Sequence, residues 1–330
     1  MTGSLRGAVV GTGSYAPQTV MTNADFEKIL DTSDEWIVQR TGIRQRHLVA
    51  DGESSATLAT EASRRALDDA GMAPGDLDLI VCATVSPDML LPSTACFVQE
   101  ALGATDVPAF DVSAACSGFV YALATANGFI SQGLYRRILV IGVDTLSRFA
   151  DFSDRGSCIL FGDGAGAAVI EATDRPDRGV RYLKLGADGK GWDYICMPAG
   201  GSRKPATAET VAAGEHFIKM RGRDVYKFAV EKMAFLLEDA MAACNLSVDD
   251  IDMVIPHQVN QRIIESATEK VNFPMDKVYV NIERYGNTSG ASIPLALDEA
   301  RRNGQLGSGA TVLMVAFGAG LTWGGAVVGL

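Results

Sequence analysis

Three residues of this 330-residue chain could together carry out thiol chemistry, namely Cys116, His257 and Asn287. Cys116 follows a strand-like segment at 108–112 and opens an apolar segment, 117–130, that is typical of a buried helix. Because the N–H groups and dipole at a helix N-terminus favour a thiolate, we expect a lowered pKa for this thiol. The small residues around it would leave the sulfur accessible, so the sequence predicts a nucleophile.

His257 and Asn287 are the predicted partners of Cys116. His257 follows the apolar strand MVIP, at the strand end where open α/β sheets bind ligands. Asn287 lies in RYGNTSGAS, which an internal repeat aligns with the segment around Cys116. If the two halves pack about a pseudo-twofold axis, the three side chains converge on one cavity.

The remaining cysteines and histidines are assigned no chemistry. We expect Cys82, Cys96, Cys158, Cys196 and Cys244 to be packing residues, because buried cysteines usually are. There is no CxxC pair and no closely spaced histidine, which argues against a zinc site and against a disulfide scaffold. His47 and His216 lie in charged, loop-like surroundings and are expected at the surface.

Two glycine-rich segments resemble phosphate-binding loops but lack the required context. GTGSYA at 11–16 follows a strand, yet Pro17 and an extended segment replace the helix that would cap a phosphate. GDGAGA at 162–167 precedes a strand, so a turn of small residues is expected there. The order Cys, His, Asn also occurs in papain-like hydrolases, but AACSG is not their signature and the α/β pattern is the wrong scaffold.

The elements that must position these residues are short apolar strands alternating with helices. Continuous hydrophobic runs predict strands covered on both faces and a parallel-rich sheet between helices; they occupy 79–85, 138–143, 167–170, 253–255 and 312–317. Ser54 is expected to cap a helix that ends at Gly71. The uncharged segment 312–330 is rich in glycine and predicts two buried strands, not a membrane span.

An internal repeat predicts a duplicated α/β architecture. The helix at 55–70 leads through a short loop into the strand from Leu77, and the helix at 224–243 leads in the same way into the strand from Ile251. Turn residues and charges concentrate between about 171 and 215, so we place the halves at 1–175 and 176–330.

The composition is that of a globular protein. The formal net charge is −11 and 47% of the residues are hydrophobic, which argues against general binding to nucleic acid or anionic membranes. The first eleven residues contain one arginine and too short an apolar stretch for a signal peptide. With its cysteine pattern, the chain is expected in the cytoplasm.

Six motifs in order along the chain resemble the β-ketoacyl-acyl carrier protein synthase III family of bacterial type II fatty acid synthesis. They are DEWIVQRTGI, DVSAACSGF, DRGSCILFGDGAGA, IPHQVN, RYGNTSGAS and FGAGLTWG. The resemblance spans essentially the whole chain. It implies a thiolase-like five-layer αβαβα sandwich built from two duplicated αβα halves.

The resemblance implies a decarboxylating Claisen condensation of an acyl-CoA primer with malonyl-acyl carrier protein. Cys116 resembles the nucleophile that takes the acyl group, and His257 with Asn287 resembles the pair that hydrogen-bonds the malonyl thioester. Ala319 resembles an oxyanion N–H donor and Phe317 a residue that shields the site. No cofactor is implied, since CoA belongs to the substrate.

Further positions resemble the family's binding residues. Trp36 and Arg155 resemble the pair that sandwiches the CoA adenine, Arg40 lies near the phosphates, and Asn260 resembles a pantetheine contact. Leu91 corresponds to a residue that crosses a homodimer interface to floor the partner's acyl pocket. Because an aromatic residue is frequent there in acetyl-preferring members, a leucine suggests a longer or branched primer.

An acidic carrier protein needs a basic surface on this acidic chain. The segment KMRGRDVYK supplies four cations within nine residues, and one more follows the His257 motif. We expect carrier docking there, at Lys219, Arg221, Arg223, Lys227 and Arg262.

Two alternative functions remain at this point. A related thiolase-fold acyltransferase, or a condensing enzyme of secondary metabolism, would keep Cys116 and use a different acceptor. A catalytically silent partner subunit should lack the nucleophile, and the presence of Cys116, His257 and Asn287 argues against that alternative.

Overall fold

The computed structural model describes residues 5–330. Its strands are β1 Arg6–Tyr15, β2 Thr19–Thr22, β3 Gln45–Leu48, β4 Leu79–Ala83, β5 Ala109–Val112, β6 Arg137–Thr145, β7 Asp163–Thr173, β8 Gly179–Ala187, β9 Ile195–Cys196, β10 Lys219–Met220, β11 Met253–Pro256, β12 Thr311–Gly318 and β13 Thr322–Gly329. Its helices are α1 Asn23–Glu27, α2 Asp34–Thr41, α3 Ser55–Ala70, α4 Thr94–Leu102, α5 Gly118–Ser131, α6 Ala208–Ala212, α7 Gly222–Cys244, α8 Gln261–Lys270, α9 Ile282–Tyr285 and α10 Ser292–Arg302. Strand β1 begins at Arg6, and residues 1–4, where the segment tested for a signal peptide begins, lie outside the described residues.

Two mixed sheets form the centre of the molecule. The first has the strand order β1-β7-β6-β4-β5 and the second has the order β11-β12-β13-β8. Helices α5 and α10 pack between the sheets, α3 and α4 cover the outer face of the first, and α7 and α8 cover the outer face of the second. These layers confirm the predicted five-layer αβαβα sandwich.

The predicted repeat is confirmed in its elements. Helix α3 leads through a 3₁₀ turn into β4, and α7 leads through a 3₁₀ turn into β11. Ser54 precedes α3, and Gly71 ends it in the left-handed conformation, as the sequence predicts. Segment 312–330 contains the predicted pair of buried strands, β12 and β13, which are antiparallel.

The prediction of a parallel-rich sheet is wrong. Strand β4 is parallel to β5 and β6, and β11 is parallel to β12, whereas β1, β7, β8 and β13 pair with their neighbours antiparallel. A continuous apolar run indicates that both faces of a strand are buried. Here the covering comes from the layers of helices, and it does not depend on strand direction.

The turn predicted for GDGAGA is also wrong, because residues from Asp163 onward form the start of β7. The glycines serve close packing of this strand against α10. A Cβ at Gly166 would lie 2.5 Å from the backbone nitrogen of Leu295. GTGSYA lies largely within β1 and likewise forms no phosphate loop.

The boundary predicted at 175/176 stays a prediction. The strands of the first sheet end at Thr173, and the first strand of the second sheet begins at Gly179. The two halves nevertheless share one core, because the largest apolar cluster includes residues from both sheets and from α5 and α10.

Candidate active site

Cys116 lies in a 3₁₀ turn, Ala115–Ser117, between β5 and the buried helix α5. Ala115 holds a left-handed backbone conformation with a φ of 47°. Such strain in a non-glycine residue persists only where the surrounding structure imposes it, and it is common at functional turns. The turn places the thiol at the N-terminal end of α5, as the sequence predicts.

The expected lowering of the Cys116 pKa is contradicted. Burial, which is the largest cause, and the nearby Asp144 carboxylate together raise the pKa of this thiol to about 12, while a hydrogen bond with the Ser289 hydroxyl acts in the opposite direction. The sequence shows the helix terminus but not the apolar walls that remove water from the sulfur. The resting thiol is therefore protonated near neutral pH.

His257 directly follows β11 and is 1% exposed. Its Nδ1 atom lies 2.7 Å from the hydroxyl oxygen of Ser292, while within residues 5–330 its Nε2 atom has no hydrogen-bond partner. Burial lowers the pKa of His257 to about 3, so the imidazole is neutral at physiological pH. A neutral imidazole with a free nitrogen can donate or accept one hydrogen bond toward a ligand.

Two hydrogen bonds to backbone groups orient Asn287, one through its main chain and one through its side chain. Its own N–H donates to the Leu160 carbonyl over 2.8 Å, and its side-chain Oδ1 accepts from the Ser289 N–H over 2.9 Å. With Oδ1 bound in this way, the Nδ2 group is left as a free donor with no protein partner in the described part of the chain.

The turn around Asn287 repeats the geometry of the Cys116 turn. The 3₁₀ turn Ser289–Ala291 precedes α10, and Ser289 has a φ of 50°, close to the value at Ala115. The two turns pack against each other. This pairing explains how the repeat brings residues so distant in sequence to one site.

Sequence reasoning missed Asp144, a fully buried carboxylate behind both turns. It accepts hydrogen bonds from the Gly290 N–H over 2.9 Å, the Val85 N–H over 2.9 Å and the Ser86 hydroxyl over 2.8 Å. Burial raises the pKa of Asp144, and these donors oppose that effect. An acidic residue after the apolar run ILVIGV was the available signal.

Cys116, His257 and Asn287 line one cavity of about 180 Å³, as the repeat predicts. The walls are predominantly apolar side chains, which exclude water and suit an acyl chain: Val85, Leu146, Phe149, Leu160, Phe161, Ile195, Met197, Ile218, Met220, Val225 and Val259. Cys196 also lines this cavity and Cys96 is exposed, so the expectation that all other cysteines are buried packing residues is wrong for these two.

Phe317 and Ala319 lie on the same cavity wall. The Phe317 ring is 4% exposed and meets the His257 ring edge-on, with their centroids 5.6 Å apart. Ala319 follows the last residue of β12 and is absent from the positive-φ residues of 5–330, so an alanine fits there without strain.

A second groove of about 410 Å³ adjoins this cavity, with which it shares four wall residues, Leu160, Met220, Val225 and Val259. The predicted CoA contacts all line it. They are Trp36, Arg40, Arg155 and Asn260, and Arg262 lies beside them.

Two guanidinium groups lie over the Trp36 ring in this groove. The Arg40 carbon Cζ lies 4.6 Å from the Trp36 ring centroid, and the Arg155 Cζ lies 5.1 Å from it. The Arg155 guanidinium therefore packs directly against the ring that the resemblance assigns to the adenine. Ser33 caps α2 and fixes the helix that carries Trp36 and Arg40.

Asn260 has two structural contacts in addition to its place in the groove. Its Oδ1 accepts from the Arg262 N–H over 2.9 Å and so caps α8, and its Nδ2 donates to the Arg40 carbonyl over 3.0 Å. Each end of the amide makes one hydrogen bond, which leaves one N–H and one oxygen lone pair for the pantetheine contact that the resemblance implies.

The expected basic surface is smaller than its sequence suggests. Lys219 lies 3.4 Å from an Asp151 carboxylate oxygen, and Arg221 lies 2.5 Å from one of Asp193. Arg223, Lys227 and Arg262 are exposed and have no ion pair within residues 5–330. These three cations are the part of the surface available to an acidic partner.

Leu91 lies outside both cavities. It is 81% exposed and continues an exposed apolar segment with Leu90, also at 81%, and Met89 at 50%.

The prediction that His47 and His216 lie at the surface is wrong in detail, since both side chains are partly buried. His47 belongs to β3 and stacks on Tyr285, and His216 packs on Phe217.

Two properties of residues 5–330 bear on other functions. Among residues 5–330, no group of three histidine, cysteine or acidic side chains is placed to hold a metal ion. In the same part of the chain, none of the helices combines the length and the apolar character that a bilayer crossing requires.

Comparison with known proteins identifies the family. Sequence models of 3-oxoacyl-[acyl-carrier-protein] synthase III match residues 110–189, and models of its C-terminal part match 241–330. A β-ketoacyl-[acyl-carrier-protein] synthase III from Caldanaerobacter subterraneus subsp. tengcongensis is 52% identical over 97% of this chain and 96% of its own.

Two solved structures extend the comparison. The crystal structure of 3-oxoacyl-[acyl-carrier-protein] synthase III from Aquifex aeolicus superposes with a TM-score of 0.90 at 42% identity, covering 98% of this chain and 100% of that one. The priming β-ketosynthase of the R1128 polyketide pathway superposes with a TM-score of 0.90 at 35% identity, covering 98% and 96%. The chain belongs to the β-ketoacyl-[acyl-carrier-protein] synthase III family.

Proposed function

We propose that this chain condenses an acyl-CoA primer with malonyl-acyl carrier protein, giving 3-ketoacyl-carrier protein, CoA and CO2, and so initiates fatty acid synthesis. The observation that carries the proposal is the cavity that brings Cys116, His257 and Asn287 together between apolar walls. The family of the chain supports the same reaction.

In the first step, the Cys116 sulfur attacks the thioester carbonyl of the acyl-CoA. The bond between the carbonyl carbon and the CoA sulfur breaks, and the thiol proton leaves with CoA. The backbone N–H groups of Cys116 and Ala319 are the proposed donors to the oxyanion. Preorganised donors of this kind act strongly in a site that excludes water.

In the second step, the malonyl group loses CO2 and the bonding electrons form an enolate. His257 Nε2–H and Asn287 Nδ2–H are the proposed donors to its oxygen, because each is a buried donor with no competing protein acceptor. The enolate carbon then attacks the acyl-Cys116 carbonyl. The Cys116 sulfur leaves as a thiolate and takes a proton from solvent. Phe317, on the His257 ring, is the proposed apolar shield that favours loss of the carboxylate.

The adjoining groove is the proposed entrance for CoA. Trp36 and Arg155 would hold the adenine between an aromatic face and a guanidinium plane, with Arg155 moved away from the ring against which it now packs. Arg40 supplies positive charge for phosphates. The groove shares its inner wall with the Cys116 cavity, so a pantetheine arm can reach the thiol from there.

Carrier protein is proposed to dock on Arg223, Lys227 and Arg262, the exposed cations beside the groove. Lys219 and Arg221 contribute less, because they form ion pairs with Asp151 and Asp193.

A homodimer is proposed through the exposed apolar segment at Leu91. The Leu91 side chain would form the floor of the partner's acyl pocket and permit a longer or branched primer. The proposed location is the cytoplasm, and the mechanism uses no cofactor apart from the CoA of the substrate.

A condensing enzyme of secondary metabolism is a second candidate, because the R1128 priming ketosynthase is similar over nearly the whole chain.

The proposed condensation is tested by mixing the purified protein with acyl-CoA and malonyl-carrier protein and analysing the carrier-protein products by mass spectrometry. A 3-ketoacyl-carrier protein is expected. Acyl transfer without loss of CO2 would instead support an acyltransferase.

A further inference from the structure

The Nδ1 edge of the His257 ring contacts a single hydroxyl group. Nδ1 lies 2.7 Å from Ser292 Oγ, and both residues are almost completely buried. Ser292 is the first residue of α10, directly after the turn that carries Ser289. Within residues 5–330 the Ser292 hydroxyl has no other hydrogen-bond partner.

The protons available to this pair favour one tautomer of the ring. A neutral imidazole carries one N–H, and a serine hydroxyl carries one O–H. If the Ser292 O–H donates to Nδ1, the ring proton must be on Nε2. If Nδ1–H donates to Ser292 instead, the hydroxyl proton is buried with no acceptor, which is unfavourable. Only the first arrangement satisfies every donor of the pair and leaves Nε2–H free.

The helix behind Ser292 supports the same state. The N-terminal end of α10 lies at the His257 ring, and the positive end of a helix dipole disfavours an added proton on the imidazole. The ring therefore stays neutral, with one donor and one acceptor nitrogen. The hydroxyl determines which nitrogen is which.

We propose that Ser292 is a positioning residue that holds His257 as the Nε2–H tautomer, so that the ring donates a hydrogen bond to the malonyl thioester oxygen. This inference rests on the proposed function for the identity of the acceptor, whereas the tautomer itself is a property of the free protein. Ser292 keeps its proton throughout, and no proton is transferred when the malonyl carbon–carbon bond breaks. The residue acts only through His257.

The experiment compares Ser292→Ala with Ser292→Thr, which keeps the hydroxyl. Ser63→Ala is the matched control, because Ser63 is a buried helical serine whose hydroxyl bonds to the Ala59 carbonyl, far from the cavity. Three quantities are measured: acylation of Cys116 by acyl-CoA, decarboxylation of malonyl-carrier protein, and the ¹⁵N chemical shifts of the His257 ring. The chain has 3 histidines, so His257→Asn assigns the signals.

We expect Ser292→Ala to slow decarboxylation by about tenfold or more, less than the roughly 10²- to 10³-fold cost of losing a whole donor. Acylation should change by less than about twofold, since only the second half-reaction uses this donor. Ser292→Thr and Ser63→Ala should decarboxylate like the wild type. The wild-type spectrum should show a protonated Nε2 and an acceptor Nδ1, and Ser292→Ala a mixture of tautomers.

A wild-type spectrum with the proton on Nδ1 would overturn the proposal, as would a folded Ser292→Ala that decarboxylates at the wild-type rate. If Ser292→Ala fails to fold, the wild-type spectrum alone decides between the two arrangements. If the wild type does not decarboxylate malonyl-carrier protein at all, the proposed function fails. The ¹⁵N spectrum then still tests the role of Ser292.

Discussion

Gly318 lies so close to Cys116 that a Cβ built on Gly318 would be 2.7 Å from the Cys116 backbone nitrogen. Gly318 ends β12 in the second sheet, whereas Cys116 belongs to the turn between β5 and α5. The end of one sheet therefore supports the nucleophile that the other sheet presents. The same approach brings the neighbouring Ala319 to the cavity wall.

Gly318→Ala should slow acylation of Cys116 by at least about tenfold, because either the nucleophile turn or β12 must shift and small misplacements of a reacting atom are costly. The rate of acyl-adduct formation measures the effect. Gly307→Ala is the control, since a Cβ at Gly307 meets nothing within 4 Å. Equal acylation rates in Gly318→Ala and wild type would show that the close contact does not position the thiol.

Trp36→Ala should raise the KM for acyl-CoA by roughly 3- to 30-fold, which corresponds to about 0.5–2 kcal/mol for a lost cation–π or stacking contact. The control is a truncated substrate, acyl-pantetheine, which lacks the nucleotide and should be used equally well by both proteins. Steady-state kinetics with the two substrates separates binding from chemistry. A similar loss with acyl-pantetheine would place the role of Trp36 elsewhere.

Much of the fold and the site could be predicted because the repeat is visible in the sequence. Matching loops before β4 and β11 locate the two halves, and matching turns at Cys116 and Asn287 locate the site. Strand direction was not predictable from apolar runs. The glycines at the start of β7 predict a turn, whereas in the folded chain they allow close packing against α10.

The electrostatics of the site depends on tertiary contacts that the sequence does not show. The Cys116 pKa is raised by walls contributed from both halves of the chain. Lys219 and Arg221 meet carboxylates at Asp151 and Asp193. Local charge counts include these cations in a basic surface, although the folded chain partly neutralises them.

Arg262→Glu should raise the KM for malonyl-carrier protein several-fold, because an exposed charge acts mainly on encounter with the acidic partner. Arg262 also lines the proposed CoA groove, so acylation is measured with acyl-pantetheine, which carries no nucleotide, and should be unchanged with that substrate. Higher salt should reduce the difference between the variant and the wild type. Arg136→Glu is the control, because it makes the same charge change at an exposed residue just before β6. Asp144, behind the active-site turns, lies near the other end of this strand, so the KM for malonyl-carrier protein should not change in Arg136→Glu. An unchanged KM in Arg262→Glu would remove this residue from the docking surface.

The buried His257 should destabilise the folded protein in acid. Its pKa is lowered to about 3 in the folded state from an ordinary value of 6.5, so between these pH values the unfolded chain binds a proton that the folded chain does not. As the pH decreases through this range, the free energy of unfolding therefore decreases, by up to about 1.4 kcal/mol per pH unit from this group.

Urea unfolding of wild type and His257→Gln at pH 8.5, 7.5, 6, 5 and 4 measures this contribution. The wild type should lose more stability than the variant as the pH falls below 6.5, and their difference should be constant above pH 7.5. Parallel losses in the two proteins would mean that His257 is protonated as easily in the folded state as in the unfolded chain.

Covalent capture of the primer by Cys116 is the central claim, and intact-protein mass spectrometry tests it most directly. Wild type and Cys116→Ala are incubated briefly with acetyl-CoA and, separately, with longer and branched acyl-CoAs. The wild type should gain one acyl group, most completely from its preferred primer, and Cys116→Ala should gain none, although Cys196 still lines the cavity. An equal adduct on both proteins, or no adduct from any acyl-CoA, would contradict an acyl-Cys116 intermediate.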